Sequence, residues 1–352
     1  MYAISQVVAS NTEMEGAFQC VVGRYMANRS ALLQNIATII QDYRAGEIAT
    51  PDEAHVEQWV RQFPADVQDP ILDQLAHVLG KAYFNRKAVE SFVATVVSAK
   101  KLTGDDPCAY WKGVKFLALQ TAGNSQRDML QLFDAELRKQ CGLSIPQCGE
   151  APHSYVDLDD ALYSGGRIKH DLERWIAESA PVAAKVEIIT IGLHTLGEFF
   201  ATKDIKVAAT KTGKKIETRF WRLMPLEDRK AYMANSDVLR PTAIPNDPAT
   251  QAYVATLGAE PILRTGGNVG GQAIFSSDVG RRLLEEEFLK AGVRVKNMCP
   301  HLNDYMRPLG CSLMKTLGFG STIVTYRNCA NNTPLVLWAG NPWYPLFPRK
   351  IN

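Results

Sequence analysis

The chain has no run of about 18 apolar residues, so nothing in it reads as a membrane-spanning helix. Its first residues, MYAISQVVASNTEMEG, lack the basic start and long apolar stretch of a secretory leader, and a cytosolic protein is expected. Excess charge of one sign is missing too. The 39 Lys and Arg stand against 37 Asp and Glu, a net charge of +2 over 352 residues. The molecule as a whole therefore has no strong field to draw in nucleic acid or a membrane surface, and local charge must do any such work. The seven cysteines (Cys20, Cys108, Cys141, Cys148, Cys299, Cys311, Cys329) are odd in number and contain no C-x-x-C pair. That argues against a disulfide framework or a zinc site and for buried thiols.

What is present is a 46% hydrophobic chain, long enough for one large core or a core with an accessory domain. Residues 1–110 read as a helical region. Leu32, Leu33, Ile36, Ile39 and Ile40 form one apolar stripe, and Ile71, Leu72, Leu75, Val78 and Leu79 another. Thr50-Pro51-Asp52-Glu53 supplies an N-cap, a first-turn proline and a capping-box glutamate for the helix carrying Trp59, Val60 and Phe63. Asp105-Asp106-Pro107 breaks the pattern and marks the boundary with residues 111–352, an α/β domain with a C-terminal α+β elaboration.

Within that domain, Val114–Gln120 reads as a strand, 121–126 as a small polar turn and the following stretch as an amphipathic helix. Asn124 and Ser125 in the turn are equally readable as ligand donors and as simple helix caps. The most informative segment is 153–171, HSYVDLDDALYSGGRIKHD. An apolar strand runs through Tyr155, Val156, Asp157 and Leu158 and ends in Asp159 and Asp160, placing two carboxylates at a strand's carboxyl end, where open α/β sheets bind ligands. Ser164, Gly165 and Gly166 then allow a tight turn whose N–H groups point inward, followed by a helix whose positive end suits a phosphate. Two acids beside an anion nest suit sugar hydroxyls, or a magnesium ion carried by pyrophosphate. A third strand, Val186–Leu193, completes a strand-helix-strand-helix-strand order, so a doubly wound, mostly parallel sheet is expected. His194 follows that strand at the ligand edge, with packing or capping as its other role.

The segment Asp159-Asp160-Ala161-Leu162-Tyr163-Ser164-Gly165-Gly166-Arg167 resembles the signature of the type I phosphoribosyltransferases. That signature is an apolar strand, two acids, three variable residues and a Thr/Ser-Gly-x-Thr turn. The resemblance implies that Asp159 and Asp160 hold the ribose hydroxyls of phosphoribosyl pyrophosphate (PRPP) and serve the catalytic centre, and that Ser164, Gly165, Gly166 and Arg167 hold its 5′-phosphate. It implies further that Asn124 and Ser125 meet the pyrophosphate, with Mg²⁺ as the accompanying ion. Tyr163 stands where a small hydroxyl residue is usual, and Arg167 replaces the last Thr, so phosphate binding carries over more firmly than PRPP itself.

Residues 203–222, KDIKVAATKTGKKIETRFWR, read as a basic hairpin, suited either to nucleic-acid contact or to a solvated edge. Arg264–Gly271 reads as a lid or turn, and Arg327–Asn332 as an amide-rich loop between strands Ile323–Tyr326 and Leu335–Trp338. Together WVRQF, VDLDDALYSGG and TYRNCANNTPLVLW resemble phosphoribosyltransferase-like proteins of bacterial conflict systems, including effectors encoded beside retron reverse transcriptases. That second resemblance implies antiviral defence and a toxic activity restrained in a complex. The partners it implies are a reverse transcriptase, a winged-helix protein and multicopy single-stranded DNA. A catalytically silent PRPP or nucleotide sensor is the alternative.

Overall fold

The computed structural model describes residues 29–121, 124–314 and 316–350. Cys20 and the first 28 residues lie outside the described part.

Helices come first, as the periodicity requires. Helix α1 covers 29–40, α2 Glu53–Val60, α3 Gln68–Ala82 and α4 Arg86–Val97. Asp52 rather than Thr50 caps α2, accepting the His55 N–H at 2.8 Å. The proline therefore precedes the cap and does not occupy the first helical turn. The stripes on α1 and α3 are buried as their spacing demands, with Ile36, Ile40, Ile71 and Leu72 fully enclosed. Strand β1 (Tyr83–Phe84) joins α3 to α4, and α5 (Lys100–Thr103) and α6 (Pro107–Lys112) lead into the sheet.

The sheet consists of β2 (Val114–Phe116), β3 (Ser154–Leu162), β4 (Ala183–His194) and β5 (Lys215–Leu226), all parallel and side by side in chain order. The crossovers are α7 (Ser125–Cys141), α8 (Gly166–Glu178) and α9 (Thr195–Lys211). Met129, Phe133 and Leu137 of α7 share one apolar cluster with Val156, Leu158, Ile189 and Ile191. Leu172, Trp175 and Ile176 of α8 and Ala201 and Ile205 of α9 share a second with Val186 and Ile188. Since side chains alternate along a strand, these clusters lie on opposite faces, and helices cover both. Strand β2 stops at Phe116, shorter than the strand expected over Val114–Gln120: Leu117 N–H still reaches the Val156 carbonyl (2.8 Å), but the N–H groups of Leu119 and Gln120 go to the Gln126 side chain instead of the sheet.

Two elements differ from expectation. The basic segment is no hairpin: Lys203, Lys206 and Lys211 lie on α9, and Lys215, Arg219 and Arg222 on β5, the parallel edge strand. Apolar Ala201, Ile205 and Ala209 at helical spacing decide this, burying one face of α9 and leaving the lysines outside. Past β5, the chain forms α10 (Pro248–Ala255) and α11 (Asp278–Met298), then strands β6 (Met306–Arg307), β7 (Gly310–Cys311), β8 (Val324–Thr325) and β9 (Asn328–Cys329). The expected strand at Leu335–Trp338 is a helical turn, α12, started by Pro334. β8 pairs in parallel with β1, and the main apolar cluster runs unbroken from Leu33 through the sheet to Phe347.

Cys108 and Cys141 are joined by a disulfide, against the expectation of free thiols. Helix packing brings the start of α6 to the end of α7, a proximity that a separation of 33 residues conceals in the sequence. Cys148, Cys299 and Cys329 are buried thiols as expected, and Cys311 is half-buried. The stretch beginning at Arg264 is pinned rather than lid-like: the buried Arg264 guanidinium donates to the carbonyls of Ser236 (2.6 Å) and Val238 (3.0 Å). Among the described residues no helix is long and apolar enough to cross a membrane.

Candidate functional site

A cavity of about 1090 Å³ opens at the carboxyl end of β3, and the residues that the phosphoribosyltransferase resemblance marks line it: Asn124, Ser125, Asp159, Asp160, Tyr163, Ser164, Gly165, Gly166 and Arg167.

The acids sit near the carboxyl end of β3, which runs on through Ala161 and Leu162 rather than ending at Asp160 as expected. Pleating points neighbouring side chains to opposite faces, so Asp159 and Asp160 have different partners. Asp159 is buried and accepts the Asp160 N–H (2.8 Å) and the Gln120 side-chain amide (3.3 Å). Gln120 also bonds Ser125 Oγ at 3.1 Å. One step earlier on the same face, buried Asp157 accepts from Gln126 Nε2 at 2.6 Å, while Gln126 Oε1 takes the N–H groups of Leu119 (2.7 Å) and Gln120 (2.9 Å). Gln126 thereby fastens the β2–α7 loop to the acids. Asp160 instead receives Arg327 Nη1 at 3.3 Å, and the same guanidinium holds Asp128 of α7.

Burial, and then the like charge of Asp160, push the Asp159 carboxyl up to about 8. Burial and Asp171 push Asp157 up to about 7. At neutral pH Asp159 is largely protonated, able both to donate and to accept, and a nearby cation favours its ionised form.

The glycine turn divides its work. Gly165 caps α8 with φ +76°, the left-handed region, and a Cβ there falls 2.5 Å from the Gly197 carbonyl oxygen at the start of α9. Gly197 is bare for the reciprocal reason, since a Cβ on it collides with the Tyr163 carbonyl. These two glycines serve packing. Gly166 does not: its nearest neighbour for a Cβ is Ser164 Oγ at 3.5 Å, an ordinary contact. Its bareness leaves the start of a 13-residue helix open to the cavity; the cap residue Gly165 offers no side chain, and the Gly166 N–H reaches Ser164 Oγ at 3.4 Å. Arg167 is exposed beside it. Such a start attracts an anion.

The remaining sequence candidates divide. Asn124 occupies the N-cap position of α7 but makes no side-chain cap bond, and Ser125 Oγ faces Gln120, so neither acts as a simple cap. His194 packs instead of facing a ligand: it is fully buried, bonded to Ser321 Oγ at 3.1 Å and stacked behind Tyr163 with ring centres 5.5 Å apart. Burial lowers it to about 3, so it is neutral. No residue of 203–222 lines the cavity. Four cations of the cavity wall carry no sequence assignment: Arg44 from the turn after α1, Arg327 from the β8–β9 turn, and Arg349 and Lys350 from the tail. Of these, only Arg327 had a local signal, in the amide-rich loop.

Among the described residues no group of three or more His, Cys, Asp or Glu side chains forms a metal cage. The oxygen donors Asp159, Asp160 and Ser125 fit a hard cation whose shell is completed by a ligand's phosphate oxygens.

A parallel strand that carries two acids near its end and passes through an open glycine turn into a helix start, with a polar loop from the preceding strand beside it, places the chain in the phosphoribosyltransferase-like class. The family model described as PRTase-CE matches residues 56–349, and the chain belongs to that family. Comparisons with curated proteins and with solved structures return no match.

Proposed function

We propose that the protein acts at the ribose anomeric carbon of PRPP or a nucleotide, on a doubly wound phosphoribosyltransferase-like fold. One observation carries this: a glycine with no packing reason to be bare, Gly166, opens a helix start onto the same cavity as the Asp159–Asp160 pair. The 5′-phosphate takes the turn and Arg167, the ribose hydroxyls take the two acids, and pyrophosphate takes Asn124 and Ser125. Asp159, Asp160 and Ser125 would hold a Mg²⁺ ion brought in with the ligand, which would supply charge neutralisation for a pyrophosphate leaving group. The bond from C1 to the leaving atom, the pyrophosphate oxygen of PRPP or the base nitrogen of a nucleotide, breaks with its electron pair on the leaving group, while the acceptor's lone pair forms the new bond at C1 and the acceptor's proton passes to the leaving group or to solvent. The acids stabilise the positive charge that develops at C1 in between. Water as acceptor makes the protein a hydrolase; another acceptor makes it a transferase.

The second reading, a silent PRPP or nucleotide sensor, is favoured by the Arg327 ion pair, which engages Asp160 directly. Incubating the chain and its Asp159→Ala/Asp160→Ala variant with PRPP, ATP and NAD, and resolving pyrophosphate, ribose phosphate and free base by chromatography, separates the two. Turnover lost in the variant supports the enzyme; binding without turnover supports the sensor; neither binding nor turnover defeats both. The role as a toxic antiviral effector, held with a retron reverse transcriptase, a winged-helix protein and multicopy single-stranded DNA, rests on the sequence resemblance. Copurification with those partners tests it.

A further inference from the structure

The residues lining the cavity fall into two groups, or lobes, and only one group is used by the function proposed above. The first contains the acids, the glycine turn and the start of α7. The second is built from segments far apart in sequence: the turn 42–47, the β8–β9 turn with Asn331 beyond it, and the tail 348–350. Hydrogen bonds hold these three together. Arg44 N–H donates to the Tyr326 carbonyl (2.6 Å), Arg44 Nη1 to the Pro348 carbonyl (2.9 Å), and Asn328 Nδ2 to the Lys350 carbonyl (3.2 Å). Arg327 lies between the lobes, reaching from the second to Asp160 in the first.

The charge of the second lobe is unbalanced. Glu47 is shared by Arg44 (2.9 Å) and Lys350 (2.8 Å), one carboxylate for two cations. Asp42 already accepts the Tyr83 hydroxyl (2.6 Å) and the Arg86 N–H (2.7 Å). Arg349 has no carboxylate partner among the described residues. Its Nε donates to the Cys329 carbonyl at 3.1 Å, and its guanidinium lies over the Trp338 ring, 5.5 Å from the centroid. That leaves the outer nitrogens of a half-buried, prepositioned fork without a protein acceptor among the described residues. Arg44 adds a second sign of a built site. Its φ is +48°, a strained value for a residue with a Cβ, kept by the bonds to Tyr326 and Pro348 that aim it at this lobe. Three cations, Arg44, Arg349 and Lys350, thus stand against two carboxylates, Glu47 and Asp42, and an arginine fork with donors left over matches a phosphate better than a neutral ring.

We infer that this second lobe is a separate anion subsite that binds the phosphate of a small phosphorylated molecule. That this molecule is the acceptor for the pentosyl group rests on the function proposed above; that the lobe binds phosphate does not.

Equilibrium dialysis of the full chain against radiolabelled inorganic phosphate tests the two lobes separately. Two sites per chain are expected. Arg349→Gln should weaken the second site about tenfold or more and spare the first, and Gly166→Val should do the converse. Arg349→Lys, which keeps the charge and loses the fork, should fall between. Because Arg349 also packs on Trp338, Lys350→Gln gives a variant of a side chain paired only with exposed Glu47, and circular dichroism checks that each variant folds. Phosphate binding unchanged in both Arg349→Gln and Lys350→Gln, or a single site that only Gly166→Val removes, overturns the inference. A single site removed only by Arg349→Gln upholds it and counts instead against the glycine turn. In competition for the second site, AMP should displace phosphate and adenosine should not. Equal displacement by both overturns the assignment to phosphate.

Discussion

Asp159→Asn tests whether the acid pair is poised as the structure implies. The wild-type carboxyl is raised from its usual value near 3.8 to about 8 by burial and by Asp160. Between pH 4 and pH 8 the unfolded chain has released this proton while the folded chain retains it. The folded state therefore binds more protons, and stability falls as pH rises. At about 1.4 kcal/mol per pH unit the ceiling on this loss is about 6 kcal/mol, reduced by any water that enters the cavity. Asparagine cannot ionise and does not suffer the loss. It keeps an acceptor for the Asp160 N–H but gives up the bond from Gln120, a cost of about 1 kcal/mol at every pH. Urea unfolding followed by tryptophan fluorescence at pH 4.5, 6, 7.5 and 8.5 should show the variant slightly less stable than wild type at the lowest pH and several kcal/mol more stable at the highest. Asp157, raised to about 7, titrates in both proteins and largely cancels in the difference. A difference that stays constant from pH 4.5 to 8.5 refutes the buried, raised carboxyl.

Three other perturbations have defined outcomes. Gly165→Ala forces a Cβ against the Gly197 carbonyl at positive φ and should cost about 2–4 kcal/mol in thermal or urea unfolding. Gly166→Ala should cost less than about 1 kcal/mol and act on ligand binding instead; equal losses from the two contradict the division of labour in the turn. Arg327→Gln frees Asp128 and Asp160 from a partly exposed pair and should destabilise by about 1–2 kcal/mol in the same measurement, against no change if the contact is incidental. Reducing Cys108–Cys141, or replacing both residues with serine, opens a loop of 33 residues and should cost ~3–4 kcal/mol, read as a lower melting midpoint; an unchanged midpoint contradicts a formed bond.

The first lobe was legible because its chemistry is local. Strand, acids, glycines and helix follow within a few residues, and each imposes a backbone conformation that the residue types announce. The stripes of α1 and α3 were legible for the same reason. The second lobe was not, since Arg44, Arg327 and Arg349 converge only through the pairing of β8 with β1 and the bonds tying the tail to Asn328. Gln126 reads as one polar residue at a helix start, and only the fold shows it fastening a loop to Asp157. The lysines of 203–222 drew attention from the small apolar residues that make α9 a helix. Gly165 and Gly166 are chemically identical in the sequence, and their separate duties depend on where α9 passes.

The most direct measurement is calorimetric titration of the full chain with PRPP in the presence of Mg²⁺, for the wild type, Asp159→Ala/Asp160→Ala and Gly166→Val. The expected result is saturable binding by the wild type and at least a tenfold loss in each variant, one from the acids and one from the turn. Undiminished PRPP binding in the folded double-aspartate variant contradicts the assignment of that pair to the sugar.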